Sequence, residues 1–423
     1  MGMEFFGVKY FYNEQSKLIT LICKVYRINS NMCYFSMETP ILNLNPPVSG
    51  FKGDLHENLE RYLGALGSML KSRLFTHSPF FLAHAMTFGC NSRCKSCTYW
   101  KNTPRMKEDL STDGVCQLLD DAYSAGMRGY YMFGGEPLIR RDIGKITDYA
   151  KEKGFITVMN TNGSFMEKKA EELRNLDFAF VSLDYYNAFD DIIRGRPGTF
   201  QEVMKGINAL KRIGRTKVSL VTTISTLNWG SMRKMAEFAK SLGIGISFNS
   251  IEQSLDFGQT DESTTPNFQI GLNSEQLREF YVTLLDLKRE GLPLMETEQV
   301  LKDYVDGKPW TCHFPKMFVY VTPDKQVYNC DYTYAYDLKK GSFKDFFTSK
   351  SFRDYALKSE SCNRCVRTCV RGYSYTYNMY PRQIRGLAGE ARNLFNRSAG
   401  DYEFQSAGGA SDAGATRPNA GVH

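Results

Sequence analysis

The chain has 423 residues, enough to bury one large hydrophobic core and a smaller second one. Its hydrophobic fraction of 42% and charged fraction of 23% are those of a soluble globular protein, and no apolar run reaches the ~18 residues of a membrane span. Residues 1–12 lack the basic and apolar regions of a signal peptide, so we expect a cytoplasmic protein. The net charge of +7 permits an anionic substrate or a lipid headgroup and does not call for a stable nucleic-acid partner.

Residues 1–77 are predicted to form an N-terminal extension. A short strand-like piece covers residues 18–26, and an amphipathic helix covers residues 55–75. The apolar positions of this helix are Leu59, Tyr62, Leu63, Leu66, Met69 and Leu70. We expect the helix to pack on the domain that follows, and peripheral contact with a membrane surface is the alternative.

Residues 78–300 alternate apolar β-type runs with amphipathic helical runs. The predicted strands cover residues 80–88, 129–133, 156–160, 178–183, 218–223 and 245–249. The predicted helices cover residues 115–125, 143–153, 166–176, 200–213 and 232–242. Six such alternations predict an α/β fold with a parallel sheet, a partial (β/α)6 TIM-type barrel. Functional side chains in such barrels follow the C-terminal ends of the strands.

Three of the eleven cysteines lie within eight residues, directly after the first predicted strand: Cys90, Cys94 and Cys97. Thiolates bind both iron–sulfur clusters and zinc. Three thiolates on one short loop can bind three corners of a cubane and leave the fourth iron open for a chelating substrate. Zinc is the alternative, although the segment between His84 and Cys116 offers no fourth Cys or His.

Polar and glycine-rich motifs follow the next strands. They are Gly134, Gly135, Glu136 and Pro137 after the second strand, Thr161, Asn162 and Gly163 after the third, Ser182, Leu183 and Asp184 after the fourth, and Thr222 or Thr223 at the end of the fifth. Two adjacent glycines allow a close backbone approach, and the carboxylate of Glu136 can meet an ammonium group. Because these motifs lie at one edge of the predicted barrel, we expect them to cluster there.

The C-x3-C-x2-C spacing, followed in order by these motifs, resembles the radical S-adenosylmethionine (SAM) superfamily over about residues 80–370. The resemblance implies that Cys90, Cys94 and Cys97 hold a [4Fe–4S] cluster whose open iron binds SAM. One electron, from a donor such as ferredoxin or flavodoxin, would cleave SAM to methionine and a 5′-deoxyadenosyl radical that abstracts hydrogen from a substrate C–H bond. The class, oxidoreductase or transferase, stays open.

The resemblance also implies which residues bind SAM. The GGEP motif would bind the amino group, Ser182 with Arg194 (or Arg196) in the block that includes Asp184 would hold the carboxylate, and Thr222, Thr223 or Asn228 would meet the ribose, with Asn162 nearby. Ser96 stands where an aromatic residue usually touches the adenine, so Tyr99 or Trp100 is expected to replace that contact. Family members commonly have a His-Asp pair after the fourth strand. Here the pair at that position is Phe189-Asp190 or Asp190-Asp191.

Five more cysteines lie in the last third of the chain: Cys312, Cys330, Cys362, Cys365 and Cys369. A hairpin is predicted between the first two, around the Pro323-Asp324 turn. Four thiolates suit structural zinc or a cluster. Next to a radical SAM barrel, the pattern resembles a SPASM or twitch subdomain at residues 301–375. The resemblance implies a second, auxiliary [4Fe–4S] cluster. Its ligands would be the first four of these cysteines, and Cys369 would replace one of them if that one is not a ligand. Lys325 stands at the usual glycine position.

Residues 376–423 are predicted to form a C-terminal helix and a disordered tail. The 13% aromatic content, the amphipathic N-terminal helix and the basic stretch 371–397 favour a small-molecule or lipid substrate, for example an isoprenoid-like or other metabolite with an anionic head. A peptide-maturing enzyme is the alternative. Outside catalysis, the chain could be a zinc-stapled binding protein or an iron–sulfur redox sensor.

Overall fold

The computed structural model describes residues 3–5, 8–10, 54–76, 78–251, 270–330, 333–362, 365 and 367–378. Contacts divide the chain into one unit at Met1–Asn58 and another at Leu59–His423. In the first unit, β1 (Met3–Phe5) and β2 (Val8–Tyr10) pair antiparallel. The predicted strand at 18–26 and the predicted tail lie outside the described residues.

A nine-stranded sheet forms the centre of the second unit. Its parallel strands are β3 (Phe81–Ala85), β4 (Gly129–Phe133), β5 (Ile156–Thr161), β6 (Phe178–Ser182), β7 (Lys217–Ile224) and β8 (Gly245–Ser250), which are neighbours in that order. β9 (Phe318–Val321) pairs parallel with β3, and β10 (Gln326–Tyr328) and β11 (Tyr334–Asp337) continue the sheet antiparallel. The six parallel strands confirm the predicted partial barrel. The hairpin of β9 and β10 extends the same sheet.

Helices connect these strands. They lie at Asp54–Lys71, Thr112–Ser124, Ile143–Glu152, Met166–Lys169, Phe189–Arg194, Thr199–Ile213, Met232–Ser241, Ser274–Arg289, Glu298–Val305, Phe314–Met317, Phe343–Thr348, Lys350–Glu360 and Thr368–Tyr377. Helical segments of other types are a π-helix at Ser72–Thr76 and 3-10 helices at Tyr99–Glu108, Pro137–Ile139 and Trp229–Ser231.

The predicted helix at 166–176 was too long. The α-helix ends at Lys169, and successive turns bring the chain to β6. In these turns the N–H of Leu176 donates to the Leu173 carbonyl at 2.9 Å, a tighter spacing than the α-helical one. Leu173 and Leu176 are both buried. The turns therefore bury the apolar residues whose spacing predicted a helix.

The two faces of the sheet differ because side chains alternate along each strand. Leu82, Met132, Val181 and Leu220 point into the core shared with the outer helices. The neighbouring inner-face positions are half-buried on β4, β6, β7 and β8. On the inner face, Tyr373 of the helix Thr368–Tyr377 packs against Phe318, with ring centroids 4.7 Å apart. The inner face is therefore aromatic towards β3 and β9.

The helix Asp54–Lys71 packs on the barrel, as predicted, but through a polar contact. Arg61 is buried and makes a salt bridge with Asp177 at 2.7 Å, while its Nη1 donates to the Phe155 carbonyl at 2.8 Å. Leu63 and Leu66, which were expected at the packed face, are exposed. None of the helices in the described ranges is both long and apolar enough to cross a membrane.

Candidate functional site

The loop that contains Cys90, Cys94 and Cys97 begins just beyond the C-terminal end of β3. All three cysteines are half-buried thiols, and none is joined in a disulfide to a residue that the structure describes. Burial raises the pKa of the Cys90 thiol to about 11, and burial likewise raises the pKa of Cys94, opposed by a nearby guanidinium. In the protein alone the Cys90 and Cys94 thiols are therefore protonated at neutral pH, and a bound metal would have to displace these protons.

The GGEP motif lies directly against this loop. The N–H of Gly135 donates to the Thr87 carbonyl at 3.1 Å, and the N–H of Glu136 donates to the Gly89 carbonyl at 2.9 Å. A Cβ atom on Gly135 would lie 1.8 Å from the Gly89 oxygen. Gly134 has a φ of +120°, a conformation that favours glycine. The expected close backbone approach is thus present, and its partner is the cysteine loop.

Glu136 is buried and connects the ends of β4 and β5. Its Oε1 accepts from the Thr161 hydroxyl at 2.7 Å, and its Oε2 accepts from the Asn162 N–H at 2.7 Å. Burial raises the pKa of this carboxyl, and these hydrogen bonds oppose the rise. The Asn162 side chain then donates to Asn91 Oδ1 at 2.8 Å and to Ser92 Oγ at 3.1 Å. The TNG motif is therefore bonded to both the GGEP motif and the cysteine loop.

Arg194 reaches the same loop from the helix that follows β6. Its guanidinium makes a salt bridge with buried Asp184 at 3.0 Å and lies close to the Cys94 thiol. Its carbonyl accepts from the Arg93 N–H at 3.1 Å. Arg196, the second choice for a SAM contact, instead pairs with Glu202 through two hydrogen bonds of 2.6 and 2.9 Å.

Asp190 is fully buried beneath Arg194. Its Oδ1 accepts from the N–H groups of Asp184 and Tyr185, while Oδ2 has no hydrogen-bond partner within the described part of the chain. Burial raises the pKa of this carboxyl to about 7, although Arg194 opposes the rise. Burial also raises the pKa of Asp184. These two acids orient the guanidinium towards Cys94.

At the end of β7, Thr222 and Thr223 face opposite sides. Thr222 is completely buried and its hydroxyl donates to the Leu183 carbonyl at 2.7 Å, whereas Thr223 is half-buried on the inner face. The side-chain amide of Asn228 donates to the backbone carbonyls of Asp184 and Thr223 at 2.9 Å each, so its hydrogen-bond donors already bond within the protein. Ser182 ends β6 on the inner face and is half-buried.

Both aromatic candidates for the adenine contact lie beside Cys97. The N–H of Tyr99 donates to the Cys97 sulfur at 3.4 Å, and its ring stacks near Phe88. The indole N–H of Trp100 donates to the Cys97 carbonyl at 2.9 Å. Either ring is thus held next to the last cysteine of the motif.

The C-terminal cysteines lie at the inner face. Cys312, Cys330, Cys365 and Cys369 belong to one apolar cluster around Phe318. Burial raises the pKa of Cys312 to about 11, and the nearby Cys330 and Cys362 add to the rise. Cys369, in the same cluster, is also near the buried carboxyl of Glu296. Cys330 and Cys362 are therefore both near Cys312.

The thiols of the first loop fit an iron–sulfur cluster. Among the residues that the structure describes, no three His, Cys, Asp or Glu side chains converge as a single ion requires. A cubane instead takes each thiolate at a separate iron. Three thiols on one loop, with a guanidinium beside one of them, fit three corners of a cluster and an anionic ligand at the fourth iron.

The sequence did not single out Asn91 and Arg140. Asn91 accepts from Asn162 and donates to Ser164 Oγ at 2.8 Å, so it ties the loop to β5. Arg140 donates to the carbonyls of Met86 and Leu110 at 3.0 Å each, next to the loop. The position of Asn91 inside the C-x3-C spacing was a signal for the first, while the contacts of Arg140 depend on the tertiary fold.

Comparison with known proteins gives a family match for residues 85–239, to the Radical SAM superfamily. The AdoMet-dependent heme synthase of Methanosarcina barkeri is 33% identical over 40% of this chain and 49% of its own length. The PqqA peptide cyclase of Granulibacter bethesdensis is 22% identical over 60% of the chain and 67% of its own length. The chain spans about half the length of the first curated relatives that it matches.

Among solved structures, Streptococcus suis SuiB bound to its precursor peptide SuiA has a TM-score of 0.53 at 12% identity, covering 82% of this chain and 84% of that one. SuiB bound to S-adenosylmethionine gives the same TM-score and coverage. At this identity the likeness is one of fold. It supports the partial barrel.

Proposed function

We propose that this chain, whose residues 85–239 form a radical SAM domain, is an enzyme that cleaves SAM at a [4Fe–4S] cluster held by Cys90, Cys94 and Cys97. When bound, the cluster and SAM supply a 5′-deoxyadenosyl radical that removes hydrogen from a substrate C–H bond. The observation that carries the proposal is that three separate motifs are hydrogen-bonded to one cysteine loop. Gly135 and Asn162 reach it from the ends of β4 and β5, and Arg194 reaches it from the helix that follows β6.

The residues around the loop have distinct proposed roles. Arg194 binds the SAM carboxylate, because its guanidinium lies at Cys94 and is oriented by Asp184. The GGEP backbone receives the amino group beside Gly89, while the Glu136 carboxylate holds β4 and β5 in place. For the ribose, Ser182 and Thr223 have side chains on the inner face. Thr223 is therefore proposed for the ribose contact in place of Thr222, because the Thr222 hydroxyl already donates to the Leu183 carbonyl.

The auxiliary site is proposed at Cys312, Cys330, Cys362 and Cys365. Cys330 and Cys362 are both near Cys312, and the carbonyl of Cys365 accepts from the Tyr304 hydroxyl at 3.1 Å. Cys369 is near the Glu296 carboxyl and remains the substitute ligand. A second [4Fe–4S] cluster there would accept or relay an electron from the substrate radical.

The substrate is proposed to be a lipid, an isoprenoid-like molecule or another anionic metabolite. Support comes from the aromatic inner face, which includes Tyr131, Phe133 and Tyr320. The exposed Leu74 and Phe75 after the N-terminal helix support a peripheral contact with a membrane. A peptide-maturing enzyme is the second candidate, and the match to PqqA peptide cyclase over 60% of the chain favours it.

Anaerobic purification tests the central proposal. About eight iron per chain, with 5′-deoxyadenosine and methionine formed from SAM and dithionite, supports two clusters and the enzyme. Colourless protein with two zinc supports the zinc-stapled alternative, and an iron protein that forms no 5′-deoxyadenosine supports a redox sensor. Cys94→Ala should abolish 5′-deoxyadenosine formation. Cys116→Ala, a half-buried cysteine on the outer helix Thr112–Ser124, is the matched control.

A further inference from the structure

Buried acceptor oxygens without partners lie on the inner face of the barrel. They are Oε2 of Glu296, Oδ1 of Asn249 and Oδ1 of Asn160, none of which has a hydrogen-bond partner in the described part of the chain. Asn160 and Asn249 are half-buried inner-face positions of β5 and β8. Buried polar atoms in native proteins are almost always paired. Orphaned acceptors on one face therefore indicate that a ligand supplies the donors.

Glu296 lies beside β8, where the chain continues the sheet for a few residues. The N–H of Met295 donates to the Ile246 carbonyl at 2.8 Å. The Glu296 carboxyl then reaches the inner face, because its Oε1 accepts from the Ser247 hydroxyl at 2.6 Å and from the Phe248 N–H at 3.0 Å. Glu296 is 8% exposed, so its second oxygen is held inside the barrel.

The Glu296 carboxyl has no cation paired with it. Its Oε1 accepts from uncharged donors, and its Oε2 accepts from no group that the structure describes. Lys288, the cation that acts on it from a distance, instead donates to the Leu294 carbonyl at 2.6 Å. A carboxylate buried without a partner is costly. A cationic group of a ligand would supply the missing charge.

Tyrosine rings lie near this carboxyl. The Cys369 thiol is near both the Glu296 carboxyl and the hydroxyls of Tyr131 and Tyr373. Tyr131 and Tyr373 also belong to the aromatic cluster around Phe318. Aromatic faces attract cations, and an ammonium group has three donors and no acceptor. A carboxylate, an amide oxygen and tyrosine rings together match an ammonium group.

Asn249 connects this carboxyl to the proposed SAM site. It is the cross-strand neighbour of Thr223, and both residues are half-buried on the inner face. Thr223 is proposed above for the ribose contact. A substrate group held by Asn249 would therefore lie beside that contact.

We propose that Glu296 and Asn249 bind a primary ammonium group of the substrate. Oε2 of Glu296 is its charged partner and Oδ1 of Asn249 is a second acceptor. The inference rests on the proposed function, and it adds an amine to the small-molecule or lipid substrate proposed above. Anchoring this amine fixes one end of the substrate and so selects which of its C–H bonds reacts.

The test compares 2-phenylethylamine with 2-phenylethanol, which have the same ring and chain and differ in the terminal group. Anaerobic calorimetry measures their dissociation constants for the reconstituted holoenzyme with SAM. We expect the amine to bind the wild type at least tenfold more tightly than the alcohol. Glu296→Gln keeps an acceptor for Ser247 and Phe248 and removes the charge. It should weaken amine binding at least tenfold and change alcohol binding less than twofold.

Two further variants complete the test. Asn249→Ala removes the second acceptor and should weaken amine binding about fivefold, which tests the site even if Glu296→Gln does not fold. Glu298→Gln is the matched control, because this nearby carboxylate is exposed and pairs with Arg289 at 2.9 Å. It should change amine binding less than twofold. Thermal unfolding confirms that each variant is folded.

The proposal is overturned if the amine and the alcohol bind the wild type equally. It is also overturned if Glu296→Gln and Glu298→Gln weaken amine binding by the same factor, or if neither Glu296→Gln nor Asn249→Ala weakens it.

A second arm identifies the molecule that carries the amine, with O-phosphoethanolamine and Nα-acetyl-lysine amide as probes. We expect O-phosphoethanolamine to bind more tightly, in a way that depends on Glu296. Tighter binding of the lysine amide would overturn the assignment to a metabolite or lipid in favour of a peptide. Failure of the proposed function is separate, since the wild type would then form no 5′-deoxyadenosine from SAM and dithionite, whereas calorimetry requires no turnover.

Discussion

Gly135 and Gly89 meet so closely that a methyl group on Gly135 would lie 1.8 Å from the Gly89 carbonyl oxygen. The obstacle is backbone, which cannot rotate away as a side chain could. Gly89 precedes Cys90 directly, so any displacement here moves the first thiol.

We therefore expect Gly135→Ala to destabilise the fold by about 3 kcal/mol through overpacking and to reduce the iron bound per chain. Thermal unfolding and iron analysis measure the two effects. Gly230→Ala is the control, because no described atom beyond its chain neighbours lies within 4 Å of the methyl group that it would gain. Wild-type iron content in Gly135→Ala would contradict the proposed role of this contact.

The Arg61–Asp177 pair provides a stability prediction. Both side chains are buried, and removing one partner leaves the other charge without compensation. Arg61→Ala should cost about 3–5 kcal/mol, measured by guanidinium unfolding. Arg233→Ala, which breaks an exposed pair with Glu290, should cost less than about 1 kcal/mol. Equal effects of the two variants would show that the N-terminal helix is not held by this contact.

Asp190 predicts a pH dependence. Burial raises its pKa to about 7, above the ~3.9 of an exposed Asp, so the native state binds more protons than the unfolded state between these values. The carboxyl therefore contributes stability at low pH that is lost as the pH rises through about 7.

Asp190→Asn keeps an oxygen for the Asp184 and Tyr185 N–H groups and removes the charge. We expect it to be more stable than wild type by about 1 kcal/mol or more at pH 8, with a smaller difference at pH 5. Thermal unfolding across this range measures the difference. Asp113→Asn, an exposed change of the same charge, should show no such trend. A pH-independent difference for Asp190→Asn would refute the assignment.

Lys325 has a φ of +67°, and it is the one non-glycine residue with a positive φ in the described ranges. Its N–H donates to the Thr322 carbonyl in the turn between β9 and β10. A side chain in this conformation costs about 1 kcal/mol, partly offset by the extra freedom of glycine when unfolded. Lys325→Gly should therefore stabilise the protein by about 0.5 kcal/mol. Lys325→Ala keeps the strain and should give no gain in the unfolding midpoint.

The proposed auxiliary site predicts a partial loss of metal. Cys330→Ser should lower the iron content from about eight to about four per chain and leave the cleavage of SAM by dithionite in place. Cys369→Ser tests whether Cys369, which is near Glu296, belongs to the ligands of this site. Iron analysis and 5′-deoxyadenosine formation measure both variants. An unchanged iron content in Cys330→Ser would remove Cys330 from the site.

Much of the barrel could be predicted because its strands follow simple patterns. The segment Gly129–Phe133 has the predicted bounds, since an apolar run between turns has few other structures available. The helix at 166–176 was wrong beyond Lys169, because tight turns bury the same leucines. The alternation along β7 already distinguished Thr222 from Thr223, and only the direction of the inner face was missing.

Long-range polar contacts were beyond sequence reasoning. The amphipathic pattern of the helix Asp54–Lys71 placed Leu63 and Leu66 at its packed face, whereas over residues 61–71, where the structure describes burial, Arg61 and Ala65 are the buried residues. Asp177 is 116 positions away from Arg61 in the sequence, and the sequence near either residue gives no signal that predicts their salt bridge. The glycine position at Lys325 was recognised from the resemblance, and its positive φ supplies the physical reason.

The parallel pairing of β3 with β9 has a consequence for dissecting the chain. A fragment that ends near residue 300 would keep every cysteine of the first loop but would strip β3 of one neighbour along Phe81–His84. The exposed backbone edge would invite other copies to add strands, so such a fragment should self-associate. The family-matched region, although recognisable by itself, is thus not expected to be a well-behaved soluble piece.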